Sequence, residues 1–170
     1  TEAKLFGKNR ERLTVIQESM SEKAITQASN YQYEIDLPTG NILRRTLMKA
    51  VDSGVRSDSI ITDFRTVVKT LGIEDQWNWE AAQIDDRIGL GLGNKTDMGE
   101  IEASDVTTIV HTIKGLVMND YRDLGYLNLR GARAGTAKLQ ANTGSPTGTS
   151  KLVTLHEELM SGAEALGRIA

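Results

Sequence analysis

The chain has no cysteine and only two prolines among its 170 residues. Without thiols it forms no disulfide, and metal sites built on thiolate ligands are excluded. Aromatic residues make up only 5%, fewer than a sugar-binding surface of exposed aromatic platforms uses. A basic excess is missing as well. Twenty Lys and Arg stand against 23 Asp and Glu, for a formal charge of −3 and a pI near 5.5. That balance argues against a dedicated nucleic-acid binder. No apolar run approaches the roughly 20 residues needed to cross a bilayer as a helix. No signal-peptide pattern opens the chain.

What remains is an ordinary globular composition, 39% hydrophobic and 25% charged. The length suits one domain with a real core and is short for two. Thr, Gly, Ala and Ser are plentiful, which suits a protein whose surfaces pack against other protein.

The most legible stretch is residues 31–40, Tyr-Gln-Tyr-Glu-Ile-Asp-Leu-Pro-Thr-Gly. Tyr31, Tyr33, Ile35 and Leu37 alternate with Gln32, Glu34 and Asp36, the pattern of a half-buried strand. The turn Pro38-Thr39-Gly40 closes it. Residues 60–71 give a second strand of high β-branched density, alternating Ile60, Thr62, Phe64, Thr66, Val68 and Thr70 with Ile61, Asp63, Arg65, Val67 and Lys69.

Elsewhere the helical period competes. Residues 1–30 read as a mildly basic arm, with Lys4, Lys8, Arg10 and Arg12 against Glu2 and Glu11, followed by a helix. That helix runs from Arg10 to about Ala28 on a thin stripe of Leu13, Ile16, Met20 and Ala24. A peripheral helix or tail is the plain reading, and an arm that reaches a neighbouring subunit or anionic surface is the sharper one. Asn41 to Val51 fits either element, with the period slightly favouring helix. Asp75 to Ile88 reads as a helix capped by Asp75, with Trp77, Ala81, Ile84 and Ile88 on one stripe and Gly89 as its stop. Trp77 is expected to anchor it. Gly89–Gly99 reads as a loop, and Val106–Ile113 as strand over helix on β-branched density. In the last third, Tyr126–Leu129, Ala137–Ala141 and Lys151–Glu157 read as short strands, and Met160–Ala170 as a terminal helix.

The chain offers little for chemistry. Gly89-Leu90-Gly91-Leu92-Gly93-Asn94 lacks the third glycine and the strand–helix context of a dinucleotide loop, so it reads as a connector. Asn94 to Glu102 lacks the alternating acidic ligands of a calcium loop. Asn94-Lys95-Thr96 is a glycosylation sequon only in a secretory setting. His111 lies in an apolar run and His156 beside Glu157 and Glu158, and each reads as a strand histidine with polar neighbours. Asp85 and Asp86 diverge by about 100° on a helix and cannot work as a facing acid pair. No serine stands in a nucleophile elbow. No catalytic, cofactor-binding or metal-ligating residue is assigned, no cofactor or small-molecule substrate is expected, and the chain is read as a non-enzyme.

Taken in order, these segments resemble the strands of viral jelly-roll coat proteins. The strand Tyr31–Leu37 with its Pro38-Thr39-Gly40 corner is followed by Ile42–Val51, Ile60–Leu71 and the helix Trp77–Ile88. Asp123-Leu124-Gly125-Tyr126-Leu127-Asn128-Leu129-Arg130, then Gly135-Thr136-Ala137-Lys138-Leu139-Gln140 and Lys151–Glu157, look like the closing strands. The series is similar to the major capsid proteins of tailless icosahedral, membrane-containing bacterial and archaeal viruses, in a single-jelly-roll form. The resemblance implies a mainly β fold, one jelly-roll β-sandwich with one or two short helices and an N-terminal arm or helix. It implies an arm and helix at 1–30, a jelly roll at 31–158 and a tail at 159–170. The function it implies is a virion capsid subunit that self-associates into an icosahedral shell, assembled in the host cytoplasm. Capsomer neighbours are the expected partners, with a second coat protein, or an internal membrane or genome against residues 4–12, as further ones. Two rivals remain: a β-rich binding module for a carbohydrate or protein ligand that uses the 89–99 loop, and a mainly helical assembly protein.

Overall fold

Strand alternation builds the molecule, and the computed structural model describes residues 14–26, 31–84, 113–147 and 149–161. Its strands are β1 (Thr14–Ile25), β2 (Gln32–Asp36), β3 (Ile42–Asp52), β4 (Val55–Arg56), β5 (Ile61–Val68) and β6 (Ile73–Asn78). A short helix, α1 (Trp79–Ile84), precedes β7 (Leu116–Asp120), β8 (Leu127–Asn128), β9 (Ala137–Thr143) and β10 (Ser150–Ser161).

Two antiparallel sheets face each other. In the first, sheet A, β1 pairs with β10 and β10 with β3, whose far side carries β4, β7 and β8 in turn. Sheet B has the order β2-β9-β5-β6. The eight longer strands thus run β1-β10-β3-β7 over β2-β9-β5-β6. Apart from the β5–β6 hairpin within sheet B, consecutive long strands lie in opposite sheets, and the first and last share one ladder. This winding is a jelly roll, so the chain is a mainly β sandwich with few helical turns.

The inward residues of both sheets make one core. Tyr33, Ile35, Phe64, Val68, Leu139 and Ala141 from sheet B meet Leu43, Met48, Ala50, Val117 and Leu152 from sheet A, all buried. The 31–40 strand and its corner form as read, with Gly40 at φ 97°. The 60–71 strand also forms, ending in a 3-10 turn at Lys69–Leu71 with Gly72 left-handed at φ 64°. That turn reverses the chain directly into β6.

Four expectations are corrected. Residues 14–25 are a strand, not a helix, held by twelve register pairs to β10. Ile16, Met20 and Ala24 are four apart, and an even spacing fits one strand face as well as one helix face. The pairing partner, 125 and more residues away, decides. Asn41–Val51, which the period left open and the resemblance took as a strand, is one over Ile42–Asp52. A bulge between Glu157 and Glu158 leaves Arg44 without a register partner, so inward positions run 43, 46, 48 and 50, and the slip imitates helical spacing.

Asp75 caps no helix. Ile73–Asn78 pairs with β5 and sets Trp77 opposite Phe64, and α1 begins only at Trp79. Asn78 Oδ1 accepts the Ala81 amide at 3.1 Å, in the manner of an N-cap. Trp79, not Trp77, is the anchor. It is 1% exposed, stands edge-on to Phe64 at 6.2 Å and donates Nε1 to Asp58 at 3.0 Å. Finally, Met160 and Ser161 continue β10 rather than open a helix.

Ile113 precedes a turn, and the strand of that region is β7. Gly115 in this turn has φ 67°, and a Cβ there would lie 2.7 Å from Ala50 O and Ser57 N, so only glycine fits. The rest of 101–112, the 85–88 end of the expected helix, the 89–99 loop, His111 and the arm at 1–13 lie outside the described residues, as do 162–170.

Candidate interaction surface

The two sheets turn very different outer faces away from the shared core. On sheet B the cross-strand rows are polar but for Val67, which stands between Lys138 and Glu74. Glu34, Gln140, Arg65 and Gln76 form one row, and Gln32, Asn142, Asp63 and Asn78 another. These side chains satisfy one another. Lys138 and Gln140 both donate to Glu34, Arg65 donates to Gln140 at 2.5 Å and to Glu74 at 2.6 Å, and Asn142 donates to Asp63 at 2.6 Å. The hydrogen bond from Lys138 holds the Glu34 carboxyl below its usual range.

On sheet A two of the equivalent rows are apolar. Met20, Leu155, Leu47 and Met118 stand side by side across β1, β10, β3 and β7. Ile16, Leu159 and Ile42 form a parallel row. Between them runs a charged row of Glu18, Glu157, Arg45 and Asp120. Glu157 is 6% exposed because the arginines close over it, Arg44 at 2.6 Å and Arg45 at 2.5 Å. Such two-oxygen capture is strong and geometrically specific. Met20 is 71% and Ile16 54% exposed, while Ile42, Leu47, Leu155 and Leu159 are half-buried. Exposed apolar rows on an outer sheet face are what protein contact surfaces are commonly built from.

Behind that face the sandwich interior carries a polar belt. His156 lies 2% exposed between Thr46 Oγ1, 3.0 Å from Nδ1, and Thr154 Oγ1, 3.1 Å from Nε2. A neutral imidazole donates from one nitrogen and accepts at the other, which fits two hydroxyls. The belt continues from Thr154 to Ser21 of β1 at 2.7 Å. In the other direction Tyr121 OH lies 3.4 Å from Thr46 and 3.1 Å from Thr66, which crosses to sheet B. Burial pushes the His156 pKa down to about 4 and raises that of Tyr121. Glu158, also buried, accepts from Ser19 at 2.9 Å and Asn41 at 2.6 Å.

The reading of His156 as a strand histidine with polar neighbours therefore stands. It belongs to the framework, and no other titratable side chain hydrogen-bonds to its ring among the described residues. Among the described residues no three histidine or carboxylate side chains converge there as a metal site would need. A shallow polar groove between β1 and β2 is lined by Lys23, Tyr31, Tyr33, Glu34, Asp36 and Lys138.

Sequence reading missed the outer face of sheet A. Its signal was present in β10, where Val153, Leu155 and Leu159 alternate with Leu152, Thr154 and Met160, making both faces rich in apolar residues. That is the mark of a strand covered on both sides.

Solved structures share this architecture. The crystal structure of the major capsid protein of Sulfolobus turreted icosahedral virus matches 92% of this chain with a TM-score of 0.67 at 14% identity. A chain in the atomic structure of the same virus matches 89% with a TM-score of 0.65, again at 14% identity. At that identity the likeness is one of fold. This chain spans 44% and 40% of the lengths of those chains. Neither family models nor curated protein sequences match it.

Proposed function

We propose that this chain is a structural shell subunit, a virion coat protein that works by self-association and catalyses nothing. The observation that carries the reading is the contrast between the outer faces. Sheet B presents a solvent-adapted polar ladder, whereas sheet A presents apolar rows that only another protein surface covers well. The jelly-roll winding, shared with the capsid protein of a turreted icosahedral virus, supports the same role. A single sandwich presents flat faces and strand edges rather than a cleft, and these are what a shell assembles from.

In this reading the working location is the virion, after assembly in the host cytoplasm. The principal partner is a further copy of the chain, alone or with a second coat protein. The basic residues Lys4, Lys8, Arg10 and Arg12 add a weak attraction for an enclosed membrane or genome. The decisive experiment is solution mass by light scattering, followed by electron microscopy of any large species. Closed or sheet-like multimers are expected, and a chain that stays at 18.6 kDa at every concentration and ionic strength overturns the proposal.

A further inference from the structure

The flank of β1 carries a second kind of contact. Over its twelve residues β1 pairs with β10, and the described residues place no strand along its other side. A long edge strand is a template for one more strand. Its outward face reads Ile16, Glu18, Met20, Glu22 and Ala24, alternating apolar and acidic positions. The charge there is left acidic by its neighbours. Glu22 takes Lys151 at 3.0 Å, but Glu18 stands beside Glu157, whose two arginines are already committed to it.

Two copies of β1 make poor partners for each other. With faces matched and most of the strand overlapped, antiparallel pairing sets glutamate against glutamate, or glutamate against Ile16 or Met20. The edge calls for an extended segment with cations two residues either side of an apolar side chain. The sequence contains that segment in Lys4-Leu5-Phe6-Gly7-Lys8. With Phe6 opposite Met20, Lys4 and Lys8 fall opposite Glu18 and Glu22 whichever way the segment runs, because side chains share a face every second residue.

We propose that residues 4–12 of a second copy add to β1 as an outer strand, pairing Lys4-x-Phe6-x-Lys8 with Glu18-x-Met20-x-Glu22. The chain's own segment does not fit this register. Thr14 and Val15 are held in β1 against Ser161 and Met160, so the reversal would have to occur at Glu11-Arg12-Leu13, which contains no glycine, proline, asparagine or aspartate. The inference rests on the shell-subunit reading, since a shell brings further copies within reach.

Because the chain has no cysteine, engineered thiols report this contact without background. Chains carrying Phe6→Cys are mixed with chains carrying Met20→Cys and mildly oxidised. Directly opposed positions lie within disulfide reach, so a product of twice the 18.6 kDa chain mass is expected from the mixture, well above the yield of either variant alone. Replacing Met20→Cys by Gln76→Cys on the outer face of sheet B should abolish it. Adding Glu18→Lys and Glu22→Lys should lower the yield several-fold, and Lys4→Glu with Lys8→Glu on the other chain should restore it.

Several outcomes overturn the proposal: a mixture that links no better than its components, an internal disulfide in the Phe6→Cys/Met20→Cys double variant, or a charge swap without rescue. If the unaltered chain builds multimers while 6 and 20 fail to link, this inference falls and the shell-subunit reading stands. A chain that links 6 to 20 but forms nothing larger than a dimer keeps the inference and sinks that reading.

Discussion

The two sheets of this sandwich are alike on their inner faces and opposite on their outer ones. Both contribute fully buried side chains to one core, Phe64, Leu139 and Ala141 from sheet B, Leu43, Met48 and Leu152 from sheet A. Outside, sheet B closes its polar side chains on each other and needs nothing more. Sheet A leaves Ile16 and Met20 open beside half-buried Leu47 and Leu155. Folding requires only the inner faces, so the difference between the outer ones is what the proposed shell contact rests on.

The largest effect expected from this contrast is on assembly. Leu155→Asp, in the middle of the Met20–Leu155–Leu47–Met118 row, should leave the chain folded and reduce it to monomers in light scattering. Gln76→Asp on sheet B should leave assembly unchanged. Equal responses of the two faces would remove the distinction. The inner faces, by contrast, should respond alike. Phe64→Ala behind sheet B should cost about 3–5 kcal/mol in urea unfolding, and Leu152→Ala behind sheet A about 2–5 kcal/mol, since both leave cavities at fully buried sites.

Between pH 6.5 and 4 a pH dependence should attach to sheet A through His156. His156 has a folded pKa of about 4 against 6.5 ordinarily, so below pH 6.5 the unfolded chain takes up a proton that the folded chain refuses. Stability is therefore full above pH 6.5 and is lost as pH falls towards 4, by about 3 kcal/mol in all. Urea midpoints measured across that window should show the fall, and His156→Gln should flatten this part of it. An unchanged slope in the variant would assign the pH dependence to other groups.

The smallest contrast lies between ion pairs. Glu157→Gln, beneath two arginines and 6% exposed, should cost about 1–2 kcal/mol, as loss of charge-assisted hydrogen bonds does. Glu74→Gln, whose pair with Arg65 is open to water, should cost less than about 1 kcal/mol. Comparable losses would mean that the sheet A pair is more hydrated than its geometry indicates.

How legible each element was depends on how sharply its two faces differ in composition. β2 and β9 have one polar face, so Tyr33 and Ile35, or Leu139 and Ala141, alternate with polar residues and announce the strand. β1 and β3 mix apolar and polar residues on both faces, and the alternation that marks a strand is lost. In β3 the bulge at Arg44 shifts the inward positions by one and produces helical spacing over a genuine strand. Trp77 and Trp79 show the same limit at shorter range. Two residues apart, they look equivalent in sequence, but the hairpin through Gly72 places Trp77 at a half-covered cross-strand position and sends Trp79 under the sheet edge onto Phe64. The outer apolar row was invisible for a related reason, because Met20, Leu155, Leu47 and Met118 come from four separate segments.

By itself the sequence determined the one-sided strands, the corner at Pro38-Thr39-Gly40 and the mainly β composition, because these depend on side chains two residues apart and on local turn geometry. It also determined the absence of disulfides, through the absence of cysteine. Only the tertiary structure decided that residues 14–25 are a strand, that Trp79 is the anchor and that apolar rows line one outer face. Those outcomes depend on β10 lying between β1 and β3, and pairing across more than a hundred residues is set by the register of the whole sandwich rather than by any local period.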